Sequence, residues 1–221
     1  MKNALFPLIC LLFFGFKAKA VNNISGKDLI PITITMNDAQ IKKGKVKNKF
    51  DPENKIKLIQ DDGSEETIAS EDIKEFTLST SLGELRYENV PYYKNRRKDI
   101  AKPIFMMVMV HADKVPLAMY CQTPWKEAIG PGAAASMYNV SNYYARRDGE
   151  EAATLLSSVM MGQVNPNAVF RYAAPDYFSD YPELAKKIEN KTYTYETIMY
   201  AAIEYIKWKV GPENMGEIKK N

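Results

Sequence analysis

Few side chains in this chain can do chemistry. There is one histidine, His111, and there are two cysteines, Cys10 and Cys121. A thiol or hydroxyl nucleophile needs a base within hydrogen-bonding reach, so the first question is what can approach His111. The apolar runs "PIFMMVMV" and "KVPLAMYC" read as two strands joined at Ala112-Asp113. A two-residue turn there sets His111 opposite Lys114 and Cys121 opposite Ile104. The imidazole and the thiol are then roughly 23 Å apart, at about 3.3 Å per residue. Ser136 leaves the hairpin from the Cys121 end and is remote from His111 by the same geometry. A zinc site needs several nitrogen or sulfur ligands, which one histidine and one distant cysteine do not supply. No metal and no cofactor is expected.

The acids Asp61, Asp62, Asp148, Glu150 and Glu151 lie in or beside turns, where carboxylates are ordinarily solvated, and they do not follow a calcium-loop spacing. A pair of acids from distant segments could still form a hydrolase, and that alternative stays open. The segment "QTPWKEAIGPGAAAS", residues 122–136, resembles a phosphate cradle only in its glycines. A cradle uses consecutive backbone N–H groups at the start of a helix. Here Pro131 removes one donor and a strand pattern follows, so the segment reads as a surface connection. Trp125, Tyr143, Tyr92 and Tyr93 fall in links or at outward-facing positions. They are the candidate ligand-binding residues, because aromatic side chains are enriched at binding surfaces; rings of this kind also cover a core from its rim.

The elements that must position these groups are legible from periodicity. From Ile30 to Pro91 the pattern is β: "LIPITITM" alternates, an Asp62-Gly63 turn separates "KIKLIQ" from "EETIAS", and "DIKEFTLS" and "GELRYENV" follow. Five or six short strands of this kind predict a small, strongly bent antiparallel sheet or barrel. The lysines at 42, 43, 45, 47, 49, 55 and 57 are followed by seven acids between Asp61 and Glu75, and cross-strand pairing on a solvated face accounts for both runs. "YYKNRRKDIAKP", residues 92–103, reads as a loop. After the apolar hairpin, "YNVSNYYARR" and "EEAATLL" flank Asp148-Gly149, a second hairpin, with Tyr144 and Leu155 on one face and Tyr143 on the other.

The end of the chain is helical. Pro175 and Pro182 are placed as first-turn prolines of two short helices, with Leu184 and Ile188 one turn apart in the second. Thr194 is the N-cap of a helix reaching about Lys209, stopped by Gly211 and Pro212. That helix has a narrow polar stripe, so it is covered over much of its circumference by its own sheet or by a partner. Strands first and helices last predict an α+β fold: a barrel-like β module over 21–91, a β-hairpin region over 103–157 and helices over 165–210, packed with the β part as one unit.

The N-terminus explains where such a chain travels. Lys2, the apolar run "ALFPLICLLFFGF" and small residues at Ala18 and Ala20 predict a secretory signal over 1–20, cleaved near Ala20. The whole chain carries a formal charge of +3. The signal holds Lys2, Lys17 and Lys19 and no acid, so the mature chain is balanced and gives no electrostatic reason to bind nucleic acid. Cys10 leaves with the signal, Cys121 remains alone, and no second apolar stretch is long enough to span a bilayer.

The order of "ASEDIKEFTL", "FMMVMVHADKVPLAMY", "YYARRDGEEAATLL" and "YFSDYPELAKKIENKTYTYETIMYAAIEYIKW" resembles a group of uncharacterised small secreted proteins of Bacteroidetes-type bacteria. The resemblance implies a periplasmic, outer-membrane-associated or secreted location and no particular activity. Together these readings point to a non-catalytic envelope protein that binds a protein or glycan partner. The alternatives are a periplasmic hydrolase using paired carboxylates and a structural scaffold docking to an outer-membrane complex through the last helix.

Overall fold

The computed structural model describes residues 29–47, 50–81, 83–94, 99–110, 116–123, 140–160 and 163–211. Ten strands come first: β1 (Leu29–Met36), β2 (Ile41–Lys47), β3 (Lys55–Ile59), β4 (Glu65–Ala69), β5 (Ile73–Thr80), β6 (Gly83–Tyr93), β7 (Ile100–Val110), β8 (Leu117–Gln122), β9 (Val140–Arg147) and β10 (Thr154–Met160). Three helices follow: α1 (Ala168–Tyr177), α2 (Pro182–Glu189) and α3 (Ile198–Val210). The strands form one antiparallel sheet in the order β10-β9-β8-β7-β6-β5-β1-β2-β3-β4. The α+β architecture expected from the element order is therefore the one present, with an open sheet in place of a closed barrel. β5, β6 and β7 pair continuously, so the two β regions share one ladder.

Sequence dictates the first strands closely. In β1, Ile30, Ile32 and Ile34 are buried while Pro31 and Thr33 face the other way, the period of a strand. Pro31 pairs with Lys45 of β2, and pairing to β5 begins only at Ile32, so the missing N–H falls where β1 has a neighbour on one side only. β2 and β3 pair at a single position, Lys45 with Ile59. There the two strands approach closely: a Cβ on Gly44 would lie 2.7 Å from the Ile59 carbonyl oxygen. The lysine and acid runs meet across these strands, Lys42 with Glu66, Lys45 with Asp61 at 3.2 Å and Lys57 with Glu65 at 4.0 Å.

The sheet buries residues on both of its faces. Phe76 pairs with Tyr87 and Glu75 with Glu88. On the Phe76 face β1–β5 enclose Ile34, Val46, Ile56, Leu58, Ile68 and Ile73, joined by Phe105. On the other face Val90, Met106, Tyr120, Tyr144 and Ala153 form a separate cluster. It is drawn together because the chain before β10 folds back on β6: Tyr93 N donates to Ala153 O at 3.0 Å and Ala153 N to Pro91 O at 2.8 Å. Tyr92 and Tyr93, which were expected in a loop, belong to β6 and pair with Ala101 and Ile100 of β7.

The helices cover the remaining part of the Phe76 face. Leu117, Met119, Ala145 and Leu156 of the sheet pack with Phe170, Leu184, Ile188, Ala202, Tyr205 and Ile206. Burying such side chains is worth about 1.5–3 kcal/mol each, which holds the helical cap down. α1 corrects one expectation. Pro175 sits inside its last turn and not in its first, because Phe170 and Ala174, one turn apart, are buried and extend the helix toward the N-terminus. α2 begins at Pro182 as expected. Thr194 and Thr197 form a capping box, Ile198–Val210 is helical, and Gly211 ends the helix at φ 77°. One side of α3 is covered by its own chain, with Ile198, Ala201, Ala202, Tyr205 and Ile206 buried, while Tyr200 and Trp208 remain 52% and 41% exposed. No helix among the described residues is long and apolar enough to cross a membrane.

Candidate binding site

Two polar constellations stand out, and they lie on opposite faces of the sheet. The first crosses β5, β6, β8 and β9. Glu75 and Glu88 face each other in register, and Arg86 Nη2 lies between them, 2.6 Å from Glu75 and 3.0 Å from Glu88. The buried Tyr120 hydroxyl donates to Glu88 at 3.0 Å and accepts from Arg146 at 3.2 Å. Burial, with the Glu88 charge second, pushes the Tyr120 hydroxyl well above its ordinary range. One guanidinium serves both carboxylates, so the arrangement reads as an ion-pair row.

The second constellation gathers the last turn of β9, the segment between α1 and α2, and α3. Arg147 organises it. Its Nε donates to the Tyr205 hydroxyl at 2.9 Å, its Nη2 to the Tyr177 carbonyl and to Asp180 at 2.9 Å, and its Nη1 lies 3.6 Å from Glu150. The guanidinium also stands 4.3 Å from the Tyr177 ring centroid. Tyr177 donates to Glu150 at 2.8 Å, and Tyr205 to Asp180 at 2.7 Å. Burial raises the Asp180 carboxyl, but the Tyr205 hydroxyl, Arg147 and Lys209 outweigh it and hold the group below the usual carboxylate range. Burial pushes Tyr205 up to about 12.

Asp180 is followed by Tyr181 and then by Pro182, the first residue of α2. The Tyr181 ring lies flat against Trp208 of α3, with centroids 4.6 Å apart and planes 6° apart. Trp208 nonetheless remains 41% exposed. Lys209 Nζ stands 5.1 Å from its ring centroid and 3.4 Å from Asp180. Below this pair Glu204 accepts from Tyr193 at 2.6 Å and from Lys187 at 2.9 Å. Burial pushes the Glu204 carboxyl up, and these partners more than reverse it. The result is a rigid aromatic plane with ionised groups around its rim.

No family model, curated protein or solved structure matches this chain.

The aromatic residues singled out in the sequence do not assemble into one surface. Tyr92 packs beside Tyr144, ring centroids 5.6 Å apart, on the ion-pair face. Tyr143 packs with the helices on the opposite face, where burial pushes its hydroxyl up to about 12. Tyr93 is half-buried at the end of β6 and bonded through its backbone to Ala153. Trp125 and His111 lie outside the described residues. Cys121 pairs with Met107 and not with Ile104, so the register of β8 on β7 differs from the one a turn at Ala112-Asp113 would give. Burial raises the Cys121 thiol. Glu150, expected to be a solvated turn acid, is instead the partner of Arg147 and Tyr177. The sequence signal for the true cluster was faint: Trp208 between two lysines in a last helical turn, and an aromatic residue immediately before a helix-starting proline.

Proposed function

We propose that the protein is an exported, non-catalytic binding protein of a bacterial envelope, and that its partner is a protein or a glycan. The observation that carries the reading is the Tyr181–Trp208 plane. An indole held flat by a second ring and left 41% open offers a large apolar contact at little cost in side-chain entropy. The acids beside it, Asp180 and Glu204, are held ionised by cations and tyrosine hydroxyls, which suits fixing a plane in position and is the wrong protonation state for a general acid. The signal-like N-terminus and the likeness to small secreted proteins support export.

The hydrolase alternative has its nearest counterpart in Glu75 and Glu88, and Arg86 between them disfavours it. The scaffold alternative drew on the apolar circumference of α3, much of which packs against the protein's own sheet and helices. The test is a cross-linked pull-down of the mature protein from its native envelope. Reproducible capture of one envelope protein or glycan, reduced by Trp208→Ala, is the expected result. Fractionation with the cytoplasm would overturn the reading.

A further inference from the structure

We infer that Met107, Met109, Met119 and Cys121 form a binding site for a soft monovalent metal ion, copper(I); the site lies apart from the Tyr181–Trp208 plane and stands independently of the reading above. Strand register brings the four side chains together. Tyr87 of β6 pairs with Met107 of β7, Met107 with Cys121 of β8, and Cys121 with Tyr143 of β9, so Met107 and Cys121 are neighbours on the Phe76 face of the sheet. Two residues away on the same strands, Met109 and Met119 pack together in the cluster under the helices, where the register shift between Val108 and Val110 lies opposite Met119. Residues opposite each other on paired strands have Cβ atoms about 4.5–5.5 Å apart, and alternate residues of one strand are roughly 7 Å apart. Thioether arms with three rotatable bonds can close gaps of that size around one ion.

Two observations separate this group from ordinary core packing. Met107 and Cys121 belong to none of the apolar clusters of the sheet. Met107 and Met109 are half-buried, so solvent reaches one side of a group whose other members, Met119 and Cys121, are covered. The ligand chemistry then selects the ion. Thiol and thioether sulfur suit copper(I), whereas carboxylate and carbonyl oxygen suit harder ions. Among the described residues no three of His, Cys, Asp and Glu gather, so the ligands zinc requires are not assembled. Charge points the same way. Cys121 alone of the four can carry a charge: on binding, its S–H bond is replaced by a sulfur–metal bond and the proton leaves to solvent. One thiolate neutralises a monovalent cation, while a divalent ion would keep a net positive charge in a covered site, where unpaired charge is costly.

In the experiment the mature protein, reduced and kept free of oxygen, is titrated with copper(I) in competition with bicinchoninate, and loss of the coloured chelate reports transfer. The expected result is one copper(I) held per chain and not displaced by zinc(II). Met107→Leu and Met109→Leu nearly conserve volume and should leave the dichroism unchanged. Each should weaken binding about tenfold or more, no less than the loss of an outer-sphere partner costs a metal site. Silver(I), of the same charge and ligand preference, gives a second reading on the wild type. With methyl-¹³C-methionine label, the methyl resonances of Met107, Met109 and Met119 should shift together and saturate at one equivalent; this reading decides the matter if a variant loses its dichroism. Failure to hold copper(I) against the chelator, or methionine methyls unmoved by silver(I), overturns the site. So does binding that is lost in Cys121→Ser yet unchanged in both methionine variants, because a single thiol then accounts for it.

Discussion

Arg147 and Tyr205 are 58 residues apart in the chain, yet the Arg147 Nε donates to the Tyr205 hydroxyl at 2.9 Å. That one contact joins the sheet to the last helix. Arg147 also bonds Asp180, the residue before Tyr181. Arg147→Leu keeps some packing but leaves Asp180 and Glu150 without their main cation. Hydrogen bonds to charged groups contribute about 1.5–3 kcal/mol each. The expected loss is about 2–3 kcal/mol in urea denaturation, with less near-ultraviolet dichroism from Trp208. Wild-type stability in the variant would show that the contact is incidental.

Acid acts on the same cluster. The folded-state pKa of Asp180 is depressed, so its stabilisation is present above the unfolded value of about 3.9 and is lost as pH falls through the lower folded value. Glu204 follows the same sign from its own unfolded value of about 4.3. Stability should therefore fall below about pH 4, and the slope should be shallower in Asp180→Asn. An identical slope in that variant would remove Asp180 from the account.

Alkali acts on buried tyrosines. Tyr87, Tyr143, Tyr144 and Tyr205 are each pushed up to about 12, chiefly by burial. A raised folded pKa gives stability that is complete below the unfolded value near 10 and declines as pH rises toward the folded one. Absorbance at 295 nm should show exposed tyrosines ionising first and a late group appearing together with unfolding. A single transition near pH 10 with native dichroism retained would contradict this.

The close approach at Gly44 leaves no room for a side chain. A Cβ there would meet the Ile59 carbonyl oxygen at 2.7 Å and Leu58 Cδ1 at 2.8 Å. Overpacking of this kind costs about 1–3 kcal/mol. Gly44→Ala should lower the melting temperature by several degrees, whereas Gly63→Ala, with open space around its Cβ, is limited to the strain of a positive φ. Equal, negligible effects would show that β3 can shift away from β2.

Cys121 is buried beside Tyr87 and Tyr143, and burial holds its thiol up. A neutral, covered thiol is a poor nucleophile. Maleimide should label the mature protein slowly in buffer and fast in urea, with one adduct. Rapid labelling of the native protein would show that the β8 edge opens.

Local chemistry decided much of this protein before any tertiary contact was made. Alternating isoleucines wrote β1, Asp-Gly pairs placed the turns at Gly63 and Gly149, Pro182 and the Thr194–Thr197 box began helices, and Gly211 ended one, because period, φ restriction and capping act over a few residues. Tertiary structure decided the rest. Pro175 stayed inside α1 because Phe170 and Ala174 are buried on either side of one turn. Cys121 came to face Met107 because β8 takes its register from both neighbouring strands, β7 and β9. Tyr92 and Tyr143 parted to opposite faces, and Tyr181 met Trp208, because the fold-back at Ala153 and the Arg147 network join residues far apart in sequence. Contacts of that kind depend on register and on three-dimensional closure, which no short window of residues encodes.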